Sequence, residues 1–223
     1  SIFGKVAERK RPNVGNLPGG DYDTPFMLVT NIVENGKPIG AFGDGEMWFH
    51  HDTIHRETPH KATLLYSVEV PTWGGNTVFS NLMAAHDAMP ADLRSALEGR
   101  MAYNAFSYGS VKKGDPNAVK ARSHAVHPAI RTCPDNGRKA IYLDRLMSQH
   151  LIDVPEAESE AILERVYDFI ERQEFCYDHV WKRGDVLMWD NRTSVHARRD
   201  FPADQVRLMW RTTLADPVRP YVA

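Results

Sequence analysis

Short blocks of apolar and β-branched residues, each closed by turn residues, dominate the chain. Phe26-Met-Leu-Val-Thr-Asn-Ile-Val is one such block, followed by a turn at Gly36-Lys37-Pro38. Ala62-Thr-Leu-Leu-Tyr-Ser-Val-Glu-Val reads as a buried strand ended by Pro71, and Gly74-Gly75 turns the chain into Thr77-Val-Phe. Met101 to Phe106, Phe175 to Trp181, Asp185 to Trp189 and Val206 to Leu214 read as further strands. The period changes in two places. Met83–Met89 and Ala91–Leu97 form a short helical pair broken at Pro90. A longer helix begins near Pro155, with Asp153 as its expected cap, and places Ile162, Leu163, Val166, Phe169 and Ile170 on one face.

Many short strands with two helical interruptions predict a mainly β fold with helical insertions, a double-sheet jelly roll. No internal repeat or linker divides residues 1–223, so a single domain is expected. Between Ser107 and Val126 the run Lys112-Lys-Gly-Asp-Pro-Asn reads either as a mobile lid or as a plain solvated loop.

Composition narrows the partners. A net charge of −2 gives no basic footprint for nucleic acid. No stretch of about 18 apolar residues exists, so no membrane helix is expected. The opening Ser-Ile-Phe-Gly-Lys-Val-Ala-Glu lacks the apolar core of a signal peptide. Cys133 and Cys176 have no metal-type spacing and fit free thiols in a reducing cytoplasm. Oligomeric state is left open, homo-oligomers included.

The candidate chemistry lies in Glu46-Met-Trp-Phe-His-His-Asp-Thr and in Trp189-Asp-Asn-Arg-Thr-Ser-Val-His. In a strand, residues two apart share a face, so His50 and Asp52 can offer a nitrogen and an oxygen to one ion while His51 faces away. His196 from a distant strand completes two histidines and a carboxylate, the set used by non-haem Fe(II) oxygenases. His51 is the rival ligand if the register is shifted by one. Arg207 follows His196 by eleven residues and Arg211 by fifteen. On a strand these arginines share a side, about 13 Å apart.

Beyond single residues, the chain resembles the TauD/TfdA family of Fe(II)- and 2-oxoglutarate-dependent dioxygenases. The resemblance rests on Phe49-His-His-Asp, Val68-Glu-Val-Pro-Thr-Trp-Gly-Gly-Asn-Thr, His127-Pro-Ala-Ile-Arg-Thr, Gly137-Arg-Lys-Ala, Trp181-Lys-Arg-Gly-Asp, Trp189-Asp-Asn-Arg and Arg207-Leu-Met-Trp-Arg, which occur in family order from about Phe26 to Val218. It implies a cupin-like double-stranded β-helix with the metal at its open end. The family's usual opening segment, before the Phe-Gly that stands here as Phe3-Gly4, is expected to be absent.

The resemblance also implies roles. Fe(II) would be held by His50, Asp52 and His196, with 2-oxoglutarate and O2 as cosubstrates. Arg207 and Thr77 would share the far carboxylate of 2-oxoglutarate, for which arginine's planar fork is suited. Trp189 would line that pocket or pack as a core residue. Arg211 would hold a substrate anion or form a salt bridge to a nearby carboxylate, and Glu46 would face the substrate and favour one that carries a positive group. The expected activity is oxidation of a small anionic or zwitterionic molecule with release of succinate and CO2. Two readings compete. An oxidative halogenase would lack the carboxylate ligand, whereas Asp52 is present. A non-catalytic metal-binding jelly roll or an inactive fragment would have no need of Thr77 and Arg207 beside the triad.

Overall fold

The computed structural model describes residues 2–7, 26–106 and 123–223. The Lys112–Asn117 run, read above as lid or loop, lies outside them.

Two four-stranded antiparallel sheets face each other. The first has the order β1 (Met27–Thr30), β15 (Leu208–Leu214), β5 (Ala62–Glu69) and β13 (Val186–Asp190). The second has the order β12 (Cys176–His179), β6 (Thr77–Asn81), β14 (Ser194–Arg198) and β4 (Met47–His50). Their inner faces meet in a core of Val29, Leu65, Phe79, Trp181, Trp189 and Met209. This is the jelly roll that the strand pattern predicts. A hairpin of β2 (Val33–Glu34) and β3 (Lys37–Pro38) precedes β4.

A second body of core lies against the outer side of the β6–β14 pair. It is built by α1 (Leu82–Asp87), α2 (Ala91–Leu97), α3 (Glu156–Ile170), the sheet β11–β7–β8 (Ser148–Leu151, Met101–Ala105, His124–Pro128) and the pair β9–β10 (Ile130–Thr132, Lys139–Ile141). Asn81 caps α1 by accepting from the amides of Met83 and Ala84. α3 buries Leu163, Val166, Tyr167, Phe169 and Ile170 on one stripe, as its 3.6-residue period requires. Its cap position is Pro155, which has no side-chain hydrogen bond. Asp153 instead sits in a left-handed turn with φ 57°, so the expected Asp153 cap is not formed.

Two departures from simple strand alternation shape the site. The ladder between β14 and β4 pairs His196 with His50 and Arg198 with Met47, so three steps on β4 oppose two on β14. This bulge turns Met47 rather than Trp48 to the same side as His50. The second departure is that β4 ends at His50. Asp52 follows in a turn, and Thr53 adopts φ 62°, a costly conformation for a β-branched residue. The turn, not strand alternation, brings the Asp52 carboxylate beside His50. No helix among the described residues is long and apolar enough to cross a membrane.

Candidate metal and cosubstrate site

His50 and His196 are cross-strand partners, so their rings lie side by side with centroids 4.1 Å apart. Asp52 Oδ1 lies 3.9 Å from His50 Nε2 and 4.0 Å from His196 Nε2. The three offered atoms fall within 4.8 Å of one another, and all three residues are buried. His50 Nδ1 is 2.8 Å from the carbonyl oxygen of Trp48, so the proton it donates there leaves the Nε2 lone pair facing the cluster. Burial lowers the pKa of His50 and takes His196 well below the ordinary value, opposed by the Asp52 charge. Neutral imidazoles are the form that binds metal. His196 Nδ1 is buried with no hydrogen-bond partner among the described residues. By donor chemistry and spacing, this set fits a divalent ion.

Asp52 is held from two sides. The hydroxyl of Thr63 donates to Oδ2. Thr63 in turn accepts from Asn191 Nδ2 at 2.9 Å, and Asn191 Oδ1 accepts from Trp189 Nε1 at 2.9 Å. Trp189 therefore reaches the site by a relay as well as by packing, since its ring is 4.7 Å from that of His196. Thr63 and Asn191 were not singled out in the sequence. Asn191 lies inside the Trp189-Asp-Asn-Arg run, but nothing in the run says which side chain turns inward.

On the other side, Arg211 Nη2 lies 2.6 Å from Asp52 Oδ1. Burial alone would raise the Asp52 carboxyl, but Arg211, His196 and His50 outweigh it and hold the group far below the usual carboxylate range. The salt bridge envisaged for Arg211 is therefore formed, and its partner is the carboxylate of the triad.

A cavity of about 480 Å³, counting the space at its open mouth, runs between the sheets. His50, Asp52, His196, Thr77, Trp189, Arg207 and Arg211 all line it, together with Phe42, Met47 and Arg198. Arg207 is buried, and burial followed by repulsion from Arg198 lowers its pKa to about 9, so it remains a cation at neutral pH. Its Nε donates to the carbonyl of Gly75 at 3.1 Å. Gly75 has φ 66°, and a Cβ there would stand 3.2 Å from Arg207 Cδ, so both its backbone shape and its lack of a side chain are used. Thr77 Oγ1 accepts from Trp181 Nε1 at 2.9 Å. Arg207 has no carboxylate partner among the described residues.

One expectation does not hold as drawn, and the rival ligand is set aside. Glu46 is exposed and does not line the cavity, because the β4 bulge gives the inward position to Met47. His51 is fully buried but turns to Asp144, with Nδ1 3.0 Å from Oδ2, and so is not in the cluster.

Two histidines and one carboxylate on the wall of a jelly-roll cavity that also holds a buried arginine form the donor pattern of mononuclear non-haem iron oxygenases. Residues 7–213 match the model of the family described as taurine catabolism dioxygenase TauD, TfdA family, and the chain belongs to that family. It is a 2-oxoglutarate-dependent dioxygenase, of a class that works with Fe(II), 2-oxoglutarate and O2. It is 32% identical over 200 residues to the alpha-ketoglutarate-dependent 2,4-dichlorophenoxyacetate dioxygenase of Cupriavidus pinatubonensis, covering 84% of this chain and 69% of that one. The structure resembles a taurine dioxygenase described as alpha-ketoglutarate-dependent from Burkholderia xenovorans, with TM-score 0.77, 25% identity and coverage of 98% and 70%. It also resembles AAD-2, solved in complex with Mn(II) and N-oxalylglycine, with TM-score 0.75, 27% identity and coverage of 90% and 78%.

Proposed function

We propose that the chain oxidises a small organic anion at an Fe(II) centre held by His50, Asp52 and His196, with 2-oxoglutarate anchored by Arg207 and Thr77 and released as succinate and CO2. The charge of the cavity carries the reading. Three arginines, Arg198, Arg207 and Arg211, line it against one carboxylate, Asp52. Such an interior attracts anions. The relatives point the same way, since the names of two of them specify a phenoxyacetate and taurine, a carboxylate and a sulfonate.

Each residue has a definable task. His50 and His196 offer neutral nitrogens, and the relay through Thr63 and Asn191 keeps Asp52 Oδ1 turned towards them. Arg207 presents its guanidinium, oriented by Gly75, to a carboxylate, and the Thr77 hydroxyl donates beside it. Arg211 stands at the triad end of the cavity, where its charge can hold a substrate anion next to the metal ligands. Trp189 and Phe79 pack against the His196 ring and keep water from that side. When bound, Fe(II) supplies the redox chemistry that couples decarboxylation of 2-oxoglutarate to oxidation of the substrate by O2. The balance is one O2, one 2-oxoglutarate and one C–H bond converted to succinate, CO2 and an oxidised product, a hydroxylated one in the simplest case.

The experiment is a succinate-release screen over carboxylates, sulfonates and neutral analogues, with the native protein and Arg211→Ala. Preference for anions, lost in the variant, is expected. Equal turnover of neutral and anionic compounds in both proteins would remove Arg211 from the substrate side.

A further inference from the structure

Beyond its charge, Arg198 has no task among the assignments above, yet it lines the same cavity. It lies two residues beyond His196 on β14 and therefore faces the same side, with 6% of its surface exposed. All three of its guanidinium nitrogens donate to consecutive backbone carbonyls: Nη1 to Gly43 at 3.1 Å, Nη2 to Asp44 at 2.9 Å and Nε to Gly45 at 2.9 Å. No carboxylate side chain among the described residues forms an ion pair with it. A buried guanidinium without a counter-ion costs stability unless its donors are satisfied, and here the satisfaction comes from one loop.

Phe42, Gly43 and Gly45 have φ of 64°, 26° and 83°, a sequence of left-handed residues that makes no regular ladder. Phe42 and Met47, which flank the tethered carbonyls, both form cavity wall. On its other side Arg198 pairs in register with Thr77 across the β14–β6 ladder, and its charge is close enough to depress the pKa of Arg207. One side chain thus connects the proposed cosubstrate anchor to the loop that walls the cavity.

We propose that Arg198 is a positioning residue that straps Gly43–Gly45 to the jelly roll and so holds Phe42 and Met47 as the wall of the 2-oxoglutarate pocket. The inference rests on the assignment of Thr77 and Arg207 to 2-oxoglutarate. Lysine cannot replace the strap, because a single ammonium does not span three successive carbonyls in the way a planar fork does.

The test uses Mn(II)-loaded protein, native, Arg198→Lys and Phe42→Ala, with two readouts: titration of 2-oxoglutarate by calorimetry, and hydrogen exchange of the backbone amides of residues 43–47 without 2-oxoglutarate. Arg198→Lys keeps the charge and loses the strap, so exchange in the loop should quicken at least tenfold and the Kd for 2-oxoglutarate should rise about tenfold, while exchange in α3 stays as in the native protein. Phe42→Ala keeps the strap and removes wall, so the Kd should rise with loop exchange within about twofold of native. Slow loop exchange in Arg198→Lys, or native affinity in that variant, overturns the strap. If Arg198→Lys does not fold, native affinity in Phe42→Ala overturns it. Failure of the native protein to bind 2-oxoglutarate would instead overturn the Thr77–Arg207 assignment, and the strap would then be decided by loop exchange alone.

Discussion

Replacing Arg207 with methionine should stabilise the protein without cosubstrate and abolish tight binding of 2-oxoglutarate. Burial lowers the Arg207 pKa from 12.5 to about 9, and at ~1.4 kcal/mol per unit this corresponds to about 5 kcal/mol of unfavourable environment for the charge. Methionine has a similar shape and no charge to desolvate. It forfeits the bond from Nε to the Gly75 carbonyl, worth about 1–3 kcal/mol including the acceptor left unpaired. Part of the gain is also lost to relaxation of the interior, as in replacements of buried ionic groups that stabilise by about 1–4 kcal/mol. A net gain of about 1–3 kcal/mol is expected, which raises Tm by about 2–12 °C for a domain of this size. Against this, loss of one partner of a buried charge pair costs about 2–5 kcal/mol of 2-oxoglutarate binding, about 30- to 4,000-fold in Kd. Thermal unfolding of Mn(II)-loaded protein over a 2-oxoglutarate titration measures both. The native protein should gain Tm with ligand and the variant should start higher and gain little. A variant that starts lower and responds to 2-oxoglutarate like the native protein refutes the reasoning.

Asp52→Ala removes the oxygen shared by the metal cluster and Arg211, so metal content after dialysis should fall to background with succinate release, and elemental analysis checks it. Gly75→Ala puts a side chain at φ 66° and against Arg207 Cδ; a loss of about 1–2 kcal/mol in urea unfolding is expected, with a raised requirement for 2-oxoglutarate. His127 is buried, its Nε2 is 2.8 Å from the Arg56 carbonyl oxygen, and burial lowers its pKa to about 4. Between the unfolded value of 6.5 and about 4 the unfolded state binds more protons, so its share of stability, up to about 3 kcal/mol, is complete above pH 6.5 and is lost as pH falls towards 4. His127→Gln should flatten that part of the urea midpoint against pH curve, and an unchanged slope would show that other groups set it. Glu46→Gln, outside the cavity, should leave substrate preference as it is in the succinate-release screen.

Elements with a strong period were legible in the sequence. Ala91–Leu97 agrees to the residue, and the strands at Ala62 and Val206 agree within two residues, because alternating or stripe-like burial writes itself into residue type. The triad residues were legible as a motif, but the reason given for their juxtaposition was incomplete. Alternation in a strand would place Asp52 beside His50, whereas the strand stops and the left-handed Thr53 turns the carboxylate in. Period-based reasoning cannot see a bulge, and the one in β4 exchanges Met47 for the expected side of Glu46. Hydrogen-bond partners far apart in sequence were also hidden. Asn191 reaches Thr63, and Arg198 reaches Gly45, across more than a hundred residues, while Thr63 meets Asp52 across a turn whose shape the residue types do not declare.

Arg207, just before β15, and Arg211, within it, show why the same residue type can do two jobs in one stretch of chain. Arg207 sits before the strand begins, buried, bound to a backbone carbonyl and pressed by the charge of Arg198, so its cation lacks a carboxylate and is poised to accept one from a ligand. Arg211 lies within the strand against Asp52, so its charge is already matched. An incoming anion therefore gains more at Arg207, where it relieves an unpaired charge, than at Arg211, where it must share the guanidinium with Asp52. That asymmetry favours the doubly charged cosubstrate at the Arg207 end. At the Arg211 end it leaves a weaker grip that depends on the charge of Asp52. A metal ion held by Asp52, as proposed above, would draw negative charge from it and would make Arg211 a better anion site. Binding order would then follow from electrostatics, with metal before substrate. Titration of a carboxylate substrate with and without Mn(II) checks this: tighter binding with the ion is expected, and equal affinity would show that Arg211 does not respond to its partner.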